Sequence, residues 1–337
     1  MAGDTTLNNA NLNAQVWAKD LWVEAQAENF FAKFTGKENP TADKANKVAL
    51  NSIVHLKEDL TEKPGTVITI PLAMKLTGSG VTGDNDLEGN EEQMVFYDFS
   101  MTVDQLRNAV KLKGRLEEKK AAFSMRTAAK NLLKIWLTEA MDKAIFTALS
   151  TSPTTNRVLY AGTGNADTGD LETTDVFTLD LISIAKRKAK MASPKIRPVM
   201  VKGKPYYILL VHPYQMKAIR DDDDWQNAQK YAGVRGDENP IFSGMEGIYD
   251  GVVIHEHENV YTADDWGTGA VHGARALFLG AQAAGEAIAQ RPFWEEDLFD
   301  YKNKVGFATG LIWKAAKTQF NSEDYGTIAI DTAIVED

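Results

Sequence analysis

Apolar side chains change period several times along this chain, and each change marks an element. From Asn13 to Phe34 they recur at helical spacing, at Val16, Trp17, Leu21, Trp22, Ala25, Phe30, Phe31 and Phe34, until Gly36 and Pro40 stop the pattern. This predicts an N-terminal helix behind a polar arm of residues 1–12. Its aromatic face, Trp17 and Trp22 included, docks either on the chain's own core or on another subunit, and both readings stand at this point. Over "TVITIPLAMKL" (66–76) and "MVFYDFSMTV" (94–103) the period falls to two. Ile68, Ile70, Leu72, Met74 and Leu76 share one face, as do Val95, Tyr97, Phe99, Met101 and Val103. Two such strands around a glycine-rich acidic segment predict a long β-hairpin.

From Arg115 to Leu149 there is neither Gly nor Pro, and Ala122, Ala129, Leu132, Leu133, Trp136, Ala140 and Ala144 suggest one apolar stripe. The expected element is a single rod of about 50 Å at 1.5 Å per residue, far beyond the usual ~11–12 residues of a helix. A rod of that length calls for a large sheet or a neighbouring molecule beside it. A second helix is predicted over Phe177–Met191, with Lys186, Arg187, Lys188 and Lys190 near its end and Pro194 beyond it. "PYYILLVHP" (205–213), "IYDGVVIHE" (248–256) and "RALFLG" (275–280) read as buried strands. "VGFATGLIWKA" and "GTIAIDTA" close the chain as strands parted by a turn near Asn321. The whole is an α+β structure with a protruding hairpin.

Composition narrows the function. In 337 residues, 44% hydrophobic side chains are enough for a substantial core. The formal charge of -10 argues against nonspecific packing on nucleic acid. Without cysteine, no disulfide framework or thiolate metal site is available. The N-terminus lacks the basic start and apolar core of a signal peptide, and no run approaches the ~20 apolar residues that span a bilayer. A protein that stays where it is made is expected.

The hairpin tip, "LTGSGVTGDNDLEGNEE" (76–92), imitates two chemistries. Gly78, Gly80 and Gly83 have dinucleotide-site spacing, but they lead into acidic residues and not into the helix N-terminus that would hold a pyrophosphate. Asp84, Asp86, Glu88 and Gly89 open like a calcium loop, yet position twelve, which requires a bidentate Glu, is Val95. The plain reading is a solvated tip. His255 and His257 share a strand face, but His55, His212 and His272 are scattered and supply no further ligand spacing. "RDDDDW" (220–225) reads as a solvated turn, and Arg235–Asp237 is an adhesion tripeptide that arises easily by chance. No nucleophile elbow or phosphate-cradling loop appears, so no enzyme, cofactor or metal is expected.

Helical arm, mobile hairpin, rod helix, second helix on a sheet and late returning strands occur in an order that resembles the Hong Kong 97-type major capsid fold of tailed bacteriophages. The resemblance extends to "LEGNEE" (87–92), the run 103–146, "HPYQMKAIRDDDDWQNAQ" (212–229), "ENPIFSGMEGIYDGVVIHE" (238–256), "RALFLGAQAAGEAIAQ" (275–290) and "DYGTIAIDTA" (324–333). It implies an N-terminal arm and helix (1–60), an extended hairpin loop (61–105), a peripheral domain with the spine helix (106–205), an axial domain (206–290) and return strands (291–337). It also implies self-assembly, as hexamers and pentamers, into an icosahedral virion shell around double-stranded DNA, assembled in the host bacterial cytoplasm without a membrane. A portal is implied, and a cement protein is left open. Because about a dozen residues precede the first helix, a separate scaffolding protein is expected. Within that frame Asp84, Asp86, Glu88, Glu91 and Glu92 at the tip would meet Lys111, Lys113, Arg115, Lys119 and Lys120 on a neighbour's spine helix. Trp17 and Trp22 are further contact candidates. An encapsulin-like nanocompartment shares the fold and is the nearest alternative. A metal-dependent hydrolase using His255 and His257 is a distant one.

Overall fold

A computed structural model describes residues 29–37, 51–61, 64–73, 76, 78–121, 124–201, 203–223, 225–226, 246–267 and 269–334. Trp17, Trp22, Met74 and the tripeptide Arg235–Asp237 lie outside them. The first element is a 3-10 turn, Phe30–Phe34, behind Asn29 in extended backbone (φ -68°, ψ 128°). The predicted helix therefore does not run unbroken to Phe34. The reason is a side chain: the Asp142 carboxylate accepts the amides of Phe30 (3.0 Å) and Phe31 (3.4 Å) in place of backbone carbonyls. Gly36, expected as a helix stop, lies in strand β1 (Thr35–Lys37), opposite His55 of β2 (Val54–Lys57).

The predicted hairpin forms from β3 (Val67–Ala73) and β4 (Phe96–Thr102), with Ile68 opposite Met101, Ile70 opposite Phe99 and Leu72 opposite Tyr97. β5 (Asp104–Lys111) follows at once. The rod is then interrupted. A short α1 (Arg115–Lys120) ends at Ala121 in extended backbone, and α2 (Met125–Ser150) restarts behind Ser124. The Ser124 hydroxyl accepts the Thr127 amide at 3.4 Å, a cap that ends one helix register and begins another without Gly or Pro. At 26 residues α2 is about 39 Å long. Its buried stripe is Ala129, Leu133, Leu137, Met141, Ile145 and Leu149, while Leu132, assigned to the stripe from sequence, is exposed.

Beyond α2 come β6 (Val158–Tyr160), α3 (Leu179–Met191), β7 (Val199–Val201), β8 (Lys204–Val211) and α4 (Pro213–Arg220). β9 (Gly247–Tyr249), β10 (Val252–Glu256), β11 (Thr262–Trp266) and β12 (Val271–Leu279) precede two long strands, β13 (Ala284–Phe299) and β14 (Lys304–Lys317). β15 (Gln319–Phe320) and β16 (Glu323–Asp324) flank a tight turn at Asn321 and Ser322, both at positive φ, and β17 (Thr327–Ala333) ends the described chain.

Two large sheets result. One runs β1-β2-β13-β14-β5, and the other β6-β17-β12-β8-β10-β9, with β11 on β12 and β7 on β8. β8 lies inside the second sheet: Tyr207, Leu209 and Val211 face a core shared with α3 and α4, and Ile208 and Leu210 face the core under α2. Burial on both faces explains its unbroken apolar run. β6, β7 and β17 join β8–β12 in one sheet, and β13 crosses position 290. Parallel pairing of β17 with β6 requires a long crossover, so one sheet must draw on distant segments.

Candidate inter-subunit surface

The root of the β3–β4 hairpin is bound to its own chain. Ile68, Ile70, Met101 and Val103 are buried with Ala287, Phe320 and Tyr325. Gly285 makes this possible, because a Cβ there would sit 3.0 Å from the Met101 methyl and 3.1 Å from Ile70. Among the described residues the distal half has no such cover. Leu76, Leu87, Met94, Val95 and Phe96 are exposed, Phe96 by 61%.

The tip has turns but no strand or helix from Gly78 to Val95. Gly80, Gly83 and Gly89 take φ of 70°, 70° and 85°, with open space where a Cβ would stand. Its acids partly organise it: Glu92 accepts the Gly78 amide at 2.6 Å and Glu91 the Gly89 amide at 2.8 Å. A carboxylate thus occupies an amide of the very glycine run that imitates a phosphate loop. Asp84, Asp86, Glu88, Glu91 and Glu92 are all exposed. Among the described residues none of them forms an ion pair with Lys111, Lys113, Arg115, Lys119 or Lys120.

The basic candidates are not all on the rod, contrary to the sequence reading. Lys111 ends β5, Lys113 lies in the connection, and Arg115, Lys119 and Lys120 are on α1. Lys111 lies over the Phe299 ring at 4.3 Å, and Lys120 pairs with Glu117 at 3.0 Å. Phe299 belongs to a second projecting hairpin, β13–β14, that sequence reading missed. Its turn has positive φ at Asp300, Tyr301 and Lys302, and Tyr301 is fully exposed at its end. β14 pairs along most of its length with both β13 and β5, and bulges near Gln290 hide the alternation that would have marked β13 in the sequence.

His255 and His257 serve packing. His255 is fully buried, and His257 lies 4.6 Å from both the Phe30 and Phe146 rings, so the pair receives the docked N-terminal turn. Burial, the largest effect, pushes the His257 imidazole below its ordinary pKa, and its Nδ1 accepts the Asn259 amide at 3.0 Å. Among the described residues no group of three or more His, Asp or Glu is placed to hold a metal ion, and no helix is long and apolar enough to cross a membrane. Phe30, Phe31 and Phe34 dock on the chain's own core, while the rest of that predicted face, Trp17 and Trp22 included, lies outside the described residues.

The model of the phage capsid protein family matches residues 12–152 and 149–336. The major capsid protein of Pseudomonas phage KPP25 is 31% identical over 96% of each chain. Among solved structures, the capsid of Ralstonia phage GP4 superposes with a TM-score of 0.80 at 28% identity, covering 91% of this chain and 92% of that one. The capsid subunit of cyanophage Pam1 gives 0.76 at 22% identity, with 91% and 92% covered. An encapsulin complex from Synechococcus elongatus PCC 7942 shares the fold more distantly, at 0.52 and 10% identity over 84% and 86%. The phage relatives are capsid proteins and not enzymes, and the chain belongs with them to the tailed-phage major capsid protein family of Hong Kong 97-type fold.

Proposed function

We propose that the subunit closes with copies of itself, as hexamers and pentamers, into the icosahedral head of a double-stranded DNA phage. Assembly takes place in the bacterial cytoplasm with a separate scaffolding protein and a portal. The five-stranded sheet with α2 forms the peripheral unit and the eight-stranded sheet with α3 and α4 the axial unit. The observation that carries this reading is the distal hairpin, where Leu76, Leu87, Met94, Val95 and Phe96 are exposed beside the acidic tip without cover among the described residues. An uncovered two-stranded ribbon is marginal in water, and a contiguous apolar patch marks a contact surface. A neighbouring subunit supplies the cover. The tip acids meet Lys111, Lys113, Arg115, Lys119 and Lys120 of that neighbour, each exposed pair contributing about 0.2–1 kcal/mol. Weak pairs repeated over a shell set register while leaving early contacts reversible.

Charge reversal tests this. Glu91→Lys with Glu92→Lys should lower the yield of closed shells while the subunit keeps its circular dichroism. These two carboxylates also bond tip amides, so Asp84→Lys with Glu88→Lys is the cleaner companion. Asp84 and Glu88 make no hydrogen bond or ion pair among the described residues. Wild-type shell yields from both double variants would reject the tip contact.

A further inference from the structure

A cavity of about 510 Å³ opens between the turn Thr155–Arg157, the C-terminal half of α3 and the β15–β16 turn. Leu159 and Ile184 give it an apolar wall, and Arg157, Arg187, Lys188 and Glu323 supply its charge. Three cations face one carboxylate in a chain whose formal charge is -10.

Two carboxylates act on Arg157, Glu323 and Asp324, but Asp324 is already paired with Lys317 at 2.8 Å, so Glu323 alone is left to balance the three cations. Arg157 is 2% exposed. Its Nη2 donates to the Pro194 carbonyl at 3.1 Å, but its buried Nε has no hydrogen-bond partner. Glu323 approaches the guanidinium only to 3.7 Å, because its other oxygen is held by Asn156 at 2.9 Å. Lys188 uses one N–H on the Val158 carbonyl at 2.6 Å. Burial first, and then Arg157, push its ammonium below the usual pKa. Arg187 is exposed at the rim and forms no ion pair among the described residues. A buried guanidinium with an orphaned donor is costly unless an anion joins it.

We propose that this cavity is an anion site that takes a phosphate group. Two uncompensated positive charges match a phosphate dianion, guanidinium forks suit tetrahedral oxyanions, and the apolar wall accommodates whatever carries the group. The phosphate comes either free or from a nucleic-acid backbone, and nothing in the proposal depends on the hairpin contact.

Titration calorimetry of the full chain with inorganic phosphate, at fixed ionic strength, tests the site. Saturable binding is expected, weakened at least about tenfold by Arg187→Glu, as loss of a charge-assisted hydrogen bond implies. Lys190→Glu, an exposed change on the same helix outside the cavity, should leave it within about twofold, the scale of surface substitutions. Should Arg187→Glu fail to fold, Arg187→Ala answers the same question. A short single-stranded oligonucleotide that competes with phosphate, and loses binding in the same variant, identifies a backbone source. Binding of phosphate alone identifies a free anion. Absence of saturable binding by either, or equal loss in the Arg187 and Lys190 variants, overturns the proposal.

Discussion

Glu286→Gln should stabilise the unassembled subunit at pH 8 and leave it unchanged near pH 4.5. Glu286 lies in β13, 5% exposed, between Leu56 of β2 and Ala315 of β14. Burial, then Glu58, then Asp142 raise its carboxyl from 4.5 to about 7. Below about 4.5 both folded and unfolded chains hold the proton. Between 4.5 and 7 only the folded chain does, so stability falls as pH rises. The loss is complete above about 7 and amounts to about 3 kcal/mol at 1.36 kcal/mol per pKa unit, from 4.5 to about 7. Asp142, raised chiefly by burial, has the same sign, while His257, lowered by burial, works the opposite way under acid conditions. Comparing wild type with Glu286→Gln cancels those contributions. Urea unfolding from pH 4.5 to 8 should show the variant gaining about 3 kcal/mol across the range. Parallel curves would remove Glu286 as the cause.

Arg275→Met should cost about 3–5 kcal/mol, the largest single-residue loss expected in the eight-stranded sheet. Arg275 and Asp331 face each other across β12 and β17. The guanidinium grips both carboxylate oxygens, at 2.7 and 2.8 Å, and donates a third bond to the Ser150 carbonyl at 2.9 Å. Asp331 is wholly buried, and its carboxyl is raised by burial against the opposing pull of Arg275. Removing the guanidinium leaves a buried carboxylate with no counter-charge. Arg275→Met with Asp331→Leu should recover most of the loss, falling short by about 1 kcal/mol for the orphaned Ser150 carbonyl. Urea midpoints measure both. A double variant as unstable as the single one would show that packing, and not charge, dominates.

The hairpin was legible because period-2 alternation places side chains on faces with little help from context. Ile68, Ile70, Met101 and Val103 are buried as the pattern requires. The central strands were legible as short apolar runs, since β8 is buried on both faces. The rod was misread in two ways. Its face is set by what docks on it, so Thr138 and Asp142 are buried while Leu132 and Ile135 are exposed. The stop at Ser124 is a hydroxyl cap that a search for Gly and Pro does not register. β13 escaped because Arg291 and Pro292 sit where bulges shift its register against β14. Of the surface, the acidic tip was legible as a motif and the family through segments spread over the chain. The second hairpin was not, because bulges break the alternation of its first strand, and the cavity beside α3 was not, because it is assembled from residues far apart in sequence.

Sedimentation velocity on the full chain, expressed with a scaffolding protein and followed by electron microscopy of the fastest fraction, tests shell formation most directly. Closed particles of megadalton mass are expected. A 37.2 kDa species that persists as the only form under those conditions would contradict self-assembly.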